Sequence, residues 1–263
     1  MHERMAAAIE VIRNTGYMLG EITGMVLMST EVGDYDRRLV ILTKERGKLT
    51  AFARGARRPN SPLTASCQPF TYGRFTLHMG RDSNHVKTFE VDHYFQEVKQ
   101  DLEAYAYGSY LCEMADYLTH EGLDDTEQLK LLYVTLRAIE KHKIPYPLIR
   151  RIYELHALAI DGEEIQVFSC VKCGKEGTAY VFRERAGGLI CVDHCMQMAE
   201  ERDILDGSTV YTLQYILSTP LERLYTFTVS EKVQMELDRI CTAYMQEYVD
   251  KSFKSVDFLN SLS

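Results

Sequence analysis

Two pairs of soft metal ligands constrain this chain more than any other feature. They are Cys170-Val-Lys-Cys173 and, after a 17-residue span, Cys191-Val-Asp-His194-Cys195. Two short-spaced pairs, each on a tight turn, can set four ligands on a tetrahedron at the roughly 2.3 Å Zn–S distance. Gly174 follows the first pair and Gly187-Gly188 precedes the second, so each pair sits where the backbone can fold back on itself. Cys170, Cys173 and Cys191 are therefore expected metal ligands. The fourth corner has two claimants: Cys195 is the softer ligand and is slightly preferred, while His194 keeps the two-residue spacing. The competing reading is a set of reduced cysteines in a core or on a surface. Four protein ligands would leave no position for water, so a zinc held this way supports structure and does not hydrolyse anything.

At 263 residues the chain is long enough for two domains with separate cores. It has no run of about 20 apolar residues to span a bilayer, and its start lacks the pattern of a signal peptide. A cytoplasmic protein is expected, without membrane attachment. Cys67, Cys112 and Cys241 lack any pairing pattern and suit buried thiols in a reducing compartment. The net charge of −8 argues against a nucleic-acid partner until its distribution is considered. Residues 1–95 carry 13 Lys/Arg against 10 Asp/Glu, and the remainder 17 against 28. Within residues 37–58 eight bases, Arg37, Arg38, Lys44, Arg46, Lys48, Arg54, Arg57 and Arg58, face one acid, Glu45. A local basic footprint on an acidic chain is an electrostatic signature of nucleic-acid binding.

The apolar pattern divides the chain. Residues 1–17 read as a short amphipathic helix that breaks at Asn14-Thr-Gly16. Five β-rich runs follow, Ile22 to Met28, Arg38 to Thr43, Lys48 to Ala53, Phe70 to His78 and Val86 to Tyr94, separated by turn signals. Five short strands in so few residues predict a small antiparallel barrel; the OB-fold is the commonest such barrel, and periodicity alone equally allows an SH3-like one. After about residue 95 the period becomes helical, over Asp101 to His120, Thr126 to Lys143, Pro147 to Asp161, Ser208 to Leu217 and Ser230 to Tyr248. Thr126 and Ser230 are expected N-caps, and Pro147 suits a first turn. The fold class is thus α+β: an N-terminal extension (1–17), a five-stranded barrel (18–95) and a helical domain (96–263) with a zinc module inserted at 168–197. The segment between the ligand pairs reads as a small ribbon.

Arg54, Arg57 and Arg58, with Lys44, Arg46 and Lys48, are expected to line one groove that neutralises successive phosphates. Phe52, Phe70, Tyr72 and Phe75 could add stacking faces, although at strand spacing such aromatics are more often core. No phosphate-binding loop, G-x-S-x-G or H-E-x-x-H is present, so no enzyme is expected. Asp34 and Asp36 flank a turn and are assigned to backbone hydrogen bonding. His120 and His156 have no evident metal partners and read as surface or core histidines. A zinc-ribbon adaptor that binds only protein is the alternative, and it predicts no salt-dependent DNA affinity.

The order of these features resembles the bacterial recombination mediator family RecO. The likeness rests on Gly33-Asp-Tyr-Asp-Arg-Arg-Leu39, Thr43-Lys-Glu-Arg-Gly-Lys48, Arg54-Gly-Ala-Arg-Arg58, Arg151-Ile-Tyr-Glu-Leu155, Cys170-Val-Lys-Cys-Gly174, Gly187-Gly-Leu-Ile-Cys191, Tyr215-Ile-Leu-Ser-Thr-Pro-Leu221 and Lys254-Ser-Val-Asp-Phe-Leu259. Residues before Met18 depart from the family pattern, as a start at Met18 would explain; Cys195 departs from the family's usual two-residue spacing. The resemblance implies an OB-fold that binds single- and double-stranded DNA, a helical domain and a zinc module. It also implies annealing of complementary strands and, with RecR, loading of RecA onto DNA coated by single-stranded DNA-binding protein (SSB), in a bacterial cytoplasm near the nucleoid. The acidic, Phe-ending SSB tail would meet the helical domain, where Arg137, Lys141, Arg150 and Arg151 are the expected contacts.

Overall fold

The computed structural model describes residues 18–195 and 203–262; the expected helix over 1–17 lies outside them. Strands β1 (Met18–Val32), β2 (Asp36–Thr43), β3 (Gly47–Ala53), β4 (Tyr72–Met79) and β5 (Asn84–His93) close into a barrel in the order β1-β2-β3-β5-β4. This is the five-stranded OB arrangement. β1 is long enough to pair with β4 through its first half and with β2 through its second. Gly24 on β1 lies opposite Gly73 on β4. A Cβ at Gly24 would stand 2.4 Å from the Leu42 carbonyl oxygen, and one at Gly73 2.1 Å from that of Glu90. Only glycine lets β1 approach β2, and β4 approach β5, so closely at these two points.

Alternation along the strands fills the interior with Ile22, Leu39, Ile41, Leu49, Phe75 and Leu77. Phe75 stacks on Phe89 with ring centroids 3.6 Å apart. Phe70 departs from the expected strand: it takes a left-handed backbone (φ 68°), is fully buried and meets Tyr105 edge-on at 5.4 Å. Its N–H donates to the Val26 carbonyl, so it anchors the loop between the short helix α1 (Leu63–Ser66) and β4.

Two compact units divide the chain: one runs to Leu132 and takes in the residues from Ser255 onward, and the other is Tyr133–Lys254. In the first, α2 (Gln96–Gln100) leads to α3 (Leu102–Leu118), which Asp101 caps by accepting from the Ala104 N–H at 2.6 Å. Lys48 on β3 ties the barrel to α3 through an ion pair with Asp116 at 3.1 Å. Helix α4 (Thr126–Lys141) begins here and continues into the second unit. Thr126 is its first residue and not its cap, because its hydroxyl donates to the Lys44 carbonyl. Ser255, in the last helix α8 (Lys254–Leu262), donates both N–H and Oγ–H to the Glu113 carboxylate, 142 residues earlier.

The second unit contains α5 (Tyr146–Asp161), α6 (Gly207–Ser218) and α7 (Glu231–Tyr248), with a two-stranded ribbon of β6 (Tyr180–Arg183) and β7 (Gly188–Cys191). Ser230 caps α7 as expected, accepting from the Val233 N–H, and Pro147 sits in the first turn of α5. Gly187 turns the ribbon at φ 69°. Between α5 and α7 lies a buried ion network. Glu154 accepts from Arg150 and from Arg151, each at 2.7 Å, and Arg151 also donates to Asp238 at 2.7 Å and to Thr242 at 3.2 Å. Among the described residues no helix is long and apolar enough to cross a membrane.

Candidate metal centre and nucleic-acid interface

The ribbon and the turn before it bring together the Sγ atoms of Cys170, Cys173 and Cys191 and a ring nitrogen of His194, all within 4.8 Å of one another. The first turn closes with the Gly174 N–H donating to the Cys170 carbonyl at 2.8 Å. Cys191 ends β7, and a 3₁₀ turn over Val192–His194 follows. In a 3₁₀ helix residues three apart eclipse, so His194 returns over Cys191 and Cys195 is carried past it. The preference for Cys195 as fourth ligand is therefore corrected to His194. Cys195 is buried, and its N–H donates to the Val192 carbonyl.

The Sγ atoms of Cys173 and Cys191 are 3.8 Å apart, and Cys191 Sγ is 3.1 Å from His194 Nδ1. A tetrahedral centre with 2.3 Å metal–sulfur bonds has sulfur–sulfur edges of about 3.8 Å, so the donor set fits a soft or borderline cation. The backbone also prepares a thiolate. Burial opposes ionisation of Cys170, but N–H groups of Cys191, Lys172 and Cys173 turned toward its sulfur bring its pKa down to about 6. Burial, reinforced by the neighbouring Cys170 and Cys173, raises that of Cys191. Outside the cluster, Lys175 and Asp193 pair at 2.6 Å and fasten the first turn to the second.

The basic residues divide between the two ends of β2–β3. Along β2 the chain rises about 20 Å between Arg38 and Lys44. At one end Arg37 meets Ser29 Oγ at 3.2 Å, Arg57 pairs with Glu31 at 2.8 Å, and Arg58 lies over the Tyr35 ring at 5.4 Å. Arg38 and Arg54 at that end are exposed. At the other end Lys44 and Arg46 are exposed on the β2–β3 turn, while Lys48 is held by Asp116. Phe75 belongs to the barrel core and Phe70 is buried, which leaves Phe52 and Tyr72 partly exposed. Asp36 accepts from the Gly55 N–H at 2.7 Å, the turn role expected of it. His156 is buried, with Nε2 2.8 Å from the Ile216 carbonyl oxygen.

In the second unit the four expected tail contacts separate. Arg150 and Arg151 are engaged with the buried Glu154. Arg137, paired with Glu140, and Lys141 instead border a cleft of about 480 Å³ floored by Val134, Ile144, Leu221 and Tyr225. Lys143, which the sequence reading missed, borders it too. It lies in the turn after α4, where helical periodicity says nothing about direction.

Together these features define a class: an OB barrel with exposed cations, joined to a helical unit that carries a Cys3His ribbon. Comparison makes the assignment narrower. Residues 18–95 match the family profile described as Recombination protein O N terminal, and residues 99–257 match Recombination protein O C terminal. The chain is 31% identical over 247 residues to the DNA repair protein RecO of Alkaliphilus metalliredigens, covering 93% of this chain and 100% of that protein. It is 30% identical over 249 residues to RecO of Symbiobacterium thermophilum, covering 93% and 98%, and 27% identical over 245 residues to RecO of Bacillus subtilis, covering 93% and 95%. The chain belongs to the RecO family of DNA repair proteins.

Proposed function

We propose that this protein binds single- and double-stranded DNA through its barrel, anneals complementary strands and, with RecR, helps load RecA onto SSB-coated DNA in the bacterial cytoplasm. The observation that carries this reading is the pair of exposed cation clusters, Arg38 with Arg54 and Lys44 with Arg46, at opposite ends of β2–β3. Their separation of about 20 Å corresponds to roughly six phosphates along one strand of a duplex at 3.4 Å per nucleotide. Neutralising phosphates on two strands lowers their repulsion, and base pairing supplies the free energy. No bond chemistry is needed, so the protein works as a mediator and not as an enzyme.

The metal in this reading is zinc, with Cys170, Cys173, Cys191 and His194 as its ligands. Bound there, zinc would fix the ribbon, and the closed ligand set leaves it no part in catalysis. The cleft bordered by Arg137, Lys141 and Lys143 suits the SSB tail, since it offers cations for carboxylates above an apolar floor for an aromatic end.

Binding of labelled oligo-dT across a salt series tests the DNA reading, using the wild type, Arg38→Glu/Arg54→Glu and Lys44→Glu/Arg46→Glu, each with a strand-annealing assay. Each pair should reduce the slope of log K against log salt by about 1.4, two contacts at about 0.7 each for a single strand. Tight binding and annealing unchanged in both variants would remove the barrel from the DNA site. Absence of wild-type binding at low salt would favour a protein-only adaptor.

A further inference from the structure

The outer face of the barrel holds a row of side chains that phosphate neutralisation does not account for. Strand pairing aligns Arg38 on β2 with Phe52 on β3, Phe52 with His85 on β5, and His85 with His78 on β4. Their strand neighbours Leu39, Ala51, Val86 and Leu77 fill the barrel core, so these four point outward. With neighbouring strands about 4.8 Å apart, the row runs about 14 Å across the strands.

At its centre the rings of Phe52 and His85 lie 6.0 Å apart and tilted by 38°. Ser83 Oγ stands 3.0 Å from His85 Nε2 and orients the imidazole. The β3–β5 pairing that unites the two rings is short, with Ala51 opposite Asn84 and Phe52 opposite His85. Asn84 fastens it by donating to the Thr50 carbonyl at 3.0 Å. Both rings remain partly open to solvent, and Arg38 and Arg54 beside them are exposed. Partial burial, then the charges of Arg54 and His78, lower the pKa of His85, which favours a neutral ring at neutral pH.

A π-face beside exposed guanidinium groups matches an unpaired nucleobase with its flanking phosphates. Duplex bases are already stacked on one another and cannot reach such a surface. We propose that Phe52 and His85 form a stacking platform for an unpaired base of a single-stranded nucleic acid, with Arg38 and Arg54 holding the adjacent phosphates. The platform rests on the proposed use of the barrel as the DNA site. It adds a selectivity that charge alone does not give: the platform favours single strands, while duplex is held through phosphates only.

The test uses the full chain at pH 8 with three probes of equal length: oligo-dT, an abasic oligomer with the same backbone, and a duplex. Phe52→Ala and His85→Ala should each weaken oligo-dT binding roughly tenfold, with the salt slope unchanged. Binding of the abasic oligomer and the duplex should stay at wild-type strength. The chain contains no tryptophan, so Phe52→Trp supplies a single reporter at the platform. Its emission should be quenched by oligo-dT and not by the abasic oligomer, and its affinity should match the wild type. Equal losses on oligo-dT and abasic strand, or a preference for oligo-dT that survives in Phe52→Ala, would overturn the platform while leaving the barrel as DNA site. Failure of the wild type to bind any of the three would overturn the DNA reading and the platform together.

Discussion

Loss of Glu154 should destabilise the second unit strongly. Its side chain is 1% exposed and takes charged hydrogen bonds from Arg150 and Arg151 at 2.7 Å each. Arg151 is itself 9% exposed and leans otherwise on Asp238, which is 40% exposed, and on the Thr242 hydroxyl. Burial works against the Arg151 charge more than any one neighbour favours it, yet Glu154, Cys241 and Asp238 together outweigh it and hold the guanidinium pKa above its ordinary value. Glu154→Ala removes the central acceptor and leaves the buried Arg151 with Asp238 and the Thr242 hydroxyl alone. Removing one partner of a buried pair costs about 3–5 kcal/mol. For a unit of this size each kcal/mol lowers the melting temperature by about 4 °C, so a fall of about 12–20 °C is expected.

Urea unfolding of the full chain, followed by circular dichroism, gives the free energy. Amide hydrogen exchange localises the loss, which should appear in α5 and α7. Arg150→Ala, which leaves the Glu154–Arg151 pair intact, should cost about 1 kcal/mol or less. A loss below about 1 kcal/mol for Glu154→Ala, or one equal to that of Arg150→Ala, would refute the network as a determinant of stability. The contrast also separates stability from recognition. Arg137→Ala/Lys141→Ala should weaken binding of an acidic, Phe-ended peptide and leave unfolding nearly unchanged, whereas Arg151→Ala should do the reverse.

Elemental analysis should find one zinc per chain, retained in Cys195→Ser and lost on dialysis from Cys170→Ala and His194→Ala; retention in His194→Ala with loss in Cys195→Ser would reverse the assignment of the fourth ligand. Gly73→Ala places a methyl group against the Glu90 carbonyl and should destabilise the barrel by about 1–3 kcal/mol, read from the first unit's unfolding transition. Asp206 accepts from Lys232 and from the Ser208 N–H, and its pKa is lowered from 3.8 to about 2, chiefly by Lys232. Its contribution is therefore present above pH 3.8 and is lost as pH falls through about 2; Asp206→Asn should flatten the stability–pH curve in that interval, and an unchanged curve would refute the assignment.

Local pattern made much of this fold legible. Period-two runs between glycine and proline signals marked the five barrel strands, and period-3.6 runs marked α3 through α7, because both signals depend on neighbours in sequence. The three cysteines that converge were equally plain from their spacing. The fourth ligand was not, since choosing between His194 and Cys195 requires the 3₁₀ geometry of one turn. Counting charges located the basic stretch but missed its partners. Glu31 for Arg57 and Asp116 for Lys48 come from other strands and helices, and they turn two expected phosphate contacts into internal ion pairs. The alignment of Phe52 with His85 was hidden for the same reason: it depends on which strand closes the barrel, and no window of sequence contains both residues.

The bond between Ser255 and Glu113 bears on how this chain can be made and divided. The first unit draws its last helix from beyond the whole of the second, so the second is in topological terms an insertion within the first. During synthesis the barrel and α3 emerge well before the residues that cover Glu113, and that acceptor must wait for the chain to return. A fragment ending at residue 132 would lack a piece of its own unit.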